Sequence, residues 1–142
     1  MTCKAYVFEK SDLNAMDTPL NAGGDWKERA LSYALNPNSY AFTLVNEKSQ
    51  VVCIFGGTLV QKKNMSAWSI LTPLVHKYPK TFHKYLKHFI GTFFRELELS
   101  RMQTTVDVDN EVAQRQNERL GFHREALLKK FGPNEEDQYL YV

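Results

Sequence analysis

Between Val106 and Phe122 the sequence fixes its local structure more firmly than anywhere else in the chain. Val106 and Val108 alternate with Asp107 and Asp109 at the two-residue period of a half-buried strand, and Asn110 then carries the short polar side chain that caps a helix. The helix carries Val112, Ala113, Gln116 and Leu120 along one side. Gly121 stands where a left-handed residue would end it, followed by apolar Phe122. The expected unit is strand, cap, three turns of helix and a glycine stop.

The rest of the chain can be read around that unit. Lys4 to Glu9 alternates as a first strand, apolar on both faces and therefore expected to be sandwiched. Ser11 to Asn14 opens a short helix, and Pro19, Gly23 and Gly24 break the next stretch into loop. Asp25 caps a helix to Leu35 whose stripe is Trp26, Ala30, Leu31 and Ala34, ending at Asn36-Pro37. Strands at Tyr40 to Val45 and Gln50 to Val60 flank the polar turn Asn46 to Ser49. Val51 to Phe55 reads as a central strand, and Gly56-Gly57 marks a bulge or a close backbone approach. A fourth strand covers Ser66 to Leu74, with Pro73 disturbing its pairing. From Pro79 to Leu97, Phe82, Tyr85, Leu86, Phe89, Ile90, Phe93, Phe94 and Leu97 recur at intervals of three and four, the pattern of a helix packed on a sheet. His123 to Phe131 and Gln138 to Val142 form a last strand pair. The fold class is α/β of the α+β kind: a mixed, mostly antiparallel sheet of about seven strands with helices on both faces.

Composition excludes several classes. A chain of 142 residues fits one domain, residues 1–142, and 43% apolar with 24% charged residues is ordinary for a globular chain. A net charge of +2 is too small to imply a nucleic-acid partner, and the aromatics fall at core spacing rather than on a stacking platform. Cys3 and Cys53 make neither a disulfide framework nor a metal cluster, so no metal is expected and a reducing compartment is. Cys53 lies in an apolar run and reads as core. No window approaches the roughly 18 uninterrupted apolar residues of a membrane span, and no apolar leader precedes the first strand, so a cytoplasmic location is expected.

The pattern Val106-x-x-x-Asn110-x-x-Ala113, followed by Leu120-Gly121-Phe122, resembles the last block of the GCN5-related N-acetyltransferase superfamily, and the order of elements resembles that family over nearly the whole chain. The short length and the Trp68-containing fourth strand are also similar to small acetyltransferase-like proteins of tailed bacteriophages, which would place the chain in a host cytoplasm. The resemblance implies an acetyl-CoA-dependent transfer of an acetyl group to an amine of a protein or small molecule, by a monomer or homodimer. In the family acetyl-CoA enters where the fourth and fifth strands splay, and its pyrophosphate rests on backbone amides at the next helix start. Here that region is Leu74, Val75, His76, Lys77, Lys80, Thr81, Phe82, His83 and Lys84, with Asn110 close by as cap and cofactor neighbour.

Two departures stand out. Tyr78, Thr81 and His83 occupy the positions of the family's basic residue and two phosphate-loop glycines, and Pro79 removes an amide donor. The lysines at 77, 80, 84 and 87, with His76 and His83, could hold phosphate by charge or form a solvated basic face. Asn117 stands where the family usually has a tyrosine that protonates the departing thiolate, and an amide is no proton donor at neutral pH. An amine of pKa about 10.4 needs a base or a desolvating pocket at pH 7, and the candidates are one of Asp107 and Asp109, directly or through water, and His76. Asp107 and Asp109 also fit a plain role at a strand exit, and Glu118 and Arg119 read as surface charges. The alternative function is a catalytically degenerate protein of the same fold that binds a host or virion protein.

Overall fold

The computed structural model describes residues 3–16, 19–20 and 25–142. Seven strands, β1 (Cys3–Val7), β2 (Ser39–Asn46), β3 (Val51–Gln61), β4 (Asn64–Leu71), β5 (Arg101–Asp107), β6 (Arg124–Leu128) and β7 (Gln138–Tyr141), form a sheet in the order β1-β2-β3-β4-β5-β7-β6. All neighbours are antiparallel except β4 and β5. That parallel pair follows from chain path: the connection between the two strands is α3 (Pro79–Glu96), a crossover long enough to return the chain in the same direction.

Helices α1 (Asp12–Ala15) and α2 (Trp26–Ala34) cover one face, where Leu13, Met16 and Ala30 pack on Val51 and Ile54. On the other face α3 sets Phe82 against Leu44, Val52 and Cys53, and Phe93 against Met65 and Met102. Burial of Phe82 or Phe93, each 7% exposed, contributes about 1.5–3 kcal/mol, so the aromatic stripe is a core stripe, as its period requires. Flanked by β2 and β4 and covered by helices on both faces, the Val51 to Ile54 segment is buried, and burial raises the Cys53 thiol far above its ordinary range, leaving it protonated and inert.

Several expectations needed correction. β1 is an edge strand, not a sandwiched one, and Tyr6 and Val7 are 54% and 72% exposed. Gly56-Gly57 continues β3 without a bulge, and the register shifts fall instead at Leu44/Val45 and Leu59/Gln61. The close approach is real: a Cβ on Gly56 would run into the Tyr40 carbonyl oxygen. β4 stops at Leu71, because Pro73 opens a 3-10 turn, Pro73–Lys77, capped by the Thr72 hydroxyl accepting from the Leu74 N–H at 3.3 Å. The loop holding Gly23 and Gly24 lies outside the described residues.

The α4 helix (Glu111–Arg119) confirms the cap and the stop. Asn110 Oδ1 accepts from the Ala113 N–H at 3.2 Å. Gly121, at φ +103°, closes the other end: its N–H donates to the Glu118 carbonyl and the Phe122 N–H to the Asn117 carbonyl, the paired bonds of a Schellman motif. The buried face differs from the expected one. Val112 is 62% exposed, whereas Gln114 is buried and its Nε2 donates to the carbonyls of Asp107 and Val108 at 3.1 and 2.9 Å, tying α4 to the end of β5.

Candidate functional site

Parallel strands β4 and β5 pair through three positions only, Asn64 with Arg101, Met65 with Met102 and Ser66 with Gln103, and then separate. The gap opens into a narrow cleft of about 70 Å³. Ala67, Trp68 and Ser69 of β4 form one wall, Met102 and Thr104 of β5 the opposite wall, and Leu86, Phe89, Ile90 and Phe93 of α3 the roof. Asn117, Leu120 and Phe122 close it from α4 and its glycine stop. The Schellman motif therefore fixes two lining residues, since Asn117 accepts and Phe122 donates the bond that ends the helix.

The cleft is apolar with few polar groups. Trp68 is stacked on Tyr33 at 5.9 Å between ring centroids and donates its indole N–H to Thr58 Oγ1 at 3.1 Å, so its orientation is set from the α2 side. The Asn117 side-chain amide, half-buried, forms no hydrogen bond within the protein among the described residues and faces the cleft free to bind. The open β4 edge adds backbone groups. Because the Thr72 N–H donates to Val52 across the β3 side, alternation turns the N–H and C=O of Ser69 and Leu71 the other way, toward the gap. The Leu71 carbonyl takes the Leu20 N–H at 2.7 Å, and Ser69 is left beside the cleft.

Beyond β4, the 3-10 turn delivers the chain to the start of α3. Tyr78 is the N-cap residue and supplies no side-chain cap bond, and the first helical bond runs from the Phe82 N–H to the Tyr78 carbonyl at 2.8 Å. The amides of Lys80 and Thr81 therefore precede the first intrahelical bond and sit at the positive end of the helix dipole. Lys77, Lys80 and Lys84 are exposed there, and His76 is exposed on the 3-10 turn. Val75 and Phe82 point into the core at 6% and 7% exposure, so neither side chain reaches a ligand. Tyr78 is also core, its hydroxyl 3.4 Å from Asn46 Nδ2. Leu74 is half-buried and packs on the same cluster. His83 Nδ1 lies 3.5 Å from Gln116 Nε2, so the two helices meet one turn before the cleft roof begins.

Of the sequence-chosen residues, the structure brings Asn117 into the cleft and gathers Lys77, Lys80, Thr81, His83 and Lys84 at the α3 start. Asn110 caps α4. Asp107 is placed elsewhere. It alternates with Val106 and so projects from the sheet face opposite the α3 core, where its Oδ1 accepts from Gln138 Nε2 at 2.8 Å. Neither Asp107 nor His76 lines the cleft. Sequence reasoning missed Ser69, Thr104 and Phe55 as lining residues. The alternation of small Ala67 and Ser69 along one face of β4 was the available signal, because a strand wall beside a ligand path favours small side chains.

A parallel pair that splays around an apolar cleft, inside a seven-stranded mixed sheet with helices on both faces, is the architecture of the GCN5-related N-acetyltransferase fold. Solved structures agree. Mutant forms of the spermidine/spermine N-acetyltransferase SpeG from Vibrio cholerae match with a TM-score of 0.71 over 99% of this chain and 93% of that one, at 15% identity. Another mutant of the Vibrio cholerae SpeG spermidine N-acetyltransferase gives 0.72 over 98% and 91%, at 16% identity. SpeG in complex with manganese ions gives 0.69 over 98% and 90%, also at 16%. No protein-family model and no curated protein matches the sequence. At these identities the likeness establishes the fold. Among the described residues no helix is long and apolar enough to cross a membrane, and no cluster of metal-binding side chains is present.

Proposed function

We propose that this chain is an N-acetyltransferase that uses acetyl-CoA and an amine acceptor. The observation that carries the reading is the gap between β4 and β5: two parallel strands abandon their pairing after Ser66 and Gln103 to enclose an apolar cleft that nothing in the fold fills. A protein without a ligand there would gain by continuing the ladder and filling the space.

The residues fit acetyl-CoA. The Ser69 backbone would pair with amide groups of the pantetheine arm, and Thr104 and the α3 roof would enclose it. The Lys80 and Thr81 amides, aided by Lys77, His83 and Lys84, would hold the phosphates in place of the missing glycines. Leu74 contributes packing at the turn, Val75 and Phe82 fix it from the core, and Asn110 orients the start of α4. Acetyl-CoA supplies an acetyl thioester, the electrophile. Asn117 serves as a hydrogen-bond donor to charge developing on sulfur, a role an amide can fill without giving up a proton. The apolar walls exclude water and favour the amine over hydrolysis.

Isothermal titration with acetyl-CoA, with a thermal shift in parallel, tests the reading. Micromolar affinity and a rise in Tm that grows with ligand concentration are expected; no heat and no stabilisation at millimolar ligand would reject it and leave the fold as a binding scaffold.

A further inference from the structure

α4 carries Asn117 to the cleft but has little apolar surface with which to hold its own orientation. In its nine residues Gln114 is the buried side chain. Ala113 and the C-cap residue Leu120 are half-buried against the core, and Val112 is 62% exposed. The hold of α4 on the sheet is instead polar, and it runs through two residues outside the cleft. Resting on the reading of Asn117 as the donor to the thioester sulfur, we propose that Tyr141 and Arg124 are positioning residues for the transfer: they fix the rotation of α4 and so aim the Asn117 amide.

Tyr141, at the end of β7, is fully buried and packs with Met65, Phe93, Met102, Val106 and Phe122, so its ring is a fixed post. Its hydroxyl donates to Glu118 Oε2 at 3.2 Å and accepts from Arg124 Nη2 at 3.4 Å. The same Arg124 nitrogen donates to Gln114 Oε1 at 3.2 Å, while Gln114 Nε2 bonds the Asp107 and Val108 carbonyls. Arg124 is itself held flat, its guanidinium carbon 3.7 Å from the centre of the Tyr139 ring. In this chain from cation through hydroxyl to carboxylate, each link is charge-assisted or strengthened by the next. Gln114 and Glu118, four residues apart, take these bonds on one side of the helix, and Asn117 stands on the adjoining side that meets the cleft.

At the side-chain radius of a helix, about 5–6 Å, a turn of about 10° displaces the Asn117 amide by about 1 Å, a misplacement that costs a reaction on the order of a hundredfold. The amine lone pair forms the new C–N bond, the C–S bond breaks with its electron pair on sulfur, and the nitrogen's surplus proton passes to that thiolate or to solvent. The amide donates a hydrogen bond to the sulfur and keeps its own proton. Among the described residues no ionisable side chain lines the cleft. Around it, β4 has none, and β3 has Cys53, sealed in the core. On β5, Asp107 is held by Gln138 on the far face and Arg101 pairs with Glu125. On α3, His83 meets Gln116, Arg95 pairs with Glu96, and Lys80, Lys84, Lys87 and His88 are exposed. On α4, Glu111, Arg115 and Arg119 are exposed and Glu118 is turned to Tyr141. The ionisation of a thiol bound in the cleft therefore reports the hydrogen-bond donors that reach it.

The test uses free CoA, the product, and needs no acceptor. Bound to the wild-type protein, its thiol should titrate about one unit lower than in solution, read from the ultraviolet absorbance of the thiolate against the same protein without CoA. Asn117→Ala should return it to the solution value. Tyr141→Phe keeps the buried ring and removes the hydroxyl alone, and Arg124→Lys keeps the charge and loses the planar stack. Each should recover about half of the shift, a roughly threefold change in the acid constant, with CoA affinity by calorimetry unchanged within about twofold. In the Asn117→Ala background, Tyr141→Phe should change nothing further. A full shift retained in both Tyr141→Phe and Arg124→Lys, an effect of Tyr141→Phe that persists without Asn117, or a wild-type thiol with no shift would overturn the inference while CoA binding stands. Absence of CoA binding to the wild-type protein would instead remove the underlying reading.

Discussion

The β5–α4 segment and the β4–α3 junction meet at the same cleft, yet different interactions hold them. β5–α4 is held by short-range bonds that its own sequence specifies: Asn110 to Ala113 at one end, Gly121 to Glu118 and Phe122 to Asn117 at the other. The junction is held by burial at a distance, with Val75, Tyr78 and Phe82 packed on Cys3, Leu44 and Val52. A segment stabilised locally keeps its shape from residue types alone, whereas one stabilised by the core can exchange glycines for bulky side chains if these turn inward. Tyr78 and Phe82 do turn inward, whereas Thr81 and His83, at the positions where the resembled family has glycines, stay half-buried at the helix start.

The contrast can be broken at either end. Phe82→Ala should have the largest effect, about 3–5 kcal/mol in chemical denaturation, because it empties a buried aromatic site; a loss below about 1 kcal/mol would mean the junction is not core-bound. Gly121→Ala comes next. Nothing lies within 4 Å of the added Cβ, so the whole cost, about 1–2 kcal/mol, is the strain of a positive φ, and a neutral result would show that the stop is not required. Asn110→Ala should cost about 1 kcal/mol through the lost cap, and Asn110→Asp should recover most of it. Lys80→Glu and Lys84→Glu should weaken acetyl-CoA about fivefold each at low salt and less at high salt; a salt-independent affinity would return these lysines to a solvated face.

This difference also explains what could be read from the chain. The cap, the glycine stop and the α3 stripe were legible because each is a pattern of neighbours three or four residues apart. The edge position of β1 and the exposure of Val112 were not, since both depend on which partner a face meets. Gln114 was overlooked for the same reason: a polar side chain is buried there only because the Asp107 and Val108 carbonyls arrive to receive it. At the site, Asn117 could be found by its spacing from Asn110 and Ser69 by the alternation of small residues along β4, whereas Thr104 faces the cleft through the splay of two strands, which no local pattern records. Asp107 was a reasonable base by sequence and is carried away by strand alternation, to Gln138. Asn117→Tyr probes the cleft position at which the resembled family usually has a tyrosine, and its expected outcome is higher turnover with acetyl-CoA affinity retained.

The central claim is that acetyl-CoA binds between β4 and β5 and ends on the α3 start. Hydrogen exchange followed by mass spectrometry, with and without saturating acetyl-CoA, addresses it directly. Slowed exchange confined to peptides covering residues 67–71 and 79–84 is the predicted result, since those carry the open strand edge and the free helix-start amides. Unchanged exchange in both peptides, or protection only elsewhere, would contradict the placement of the cosubstrate and with it the functional account.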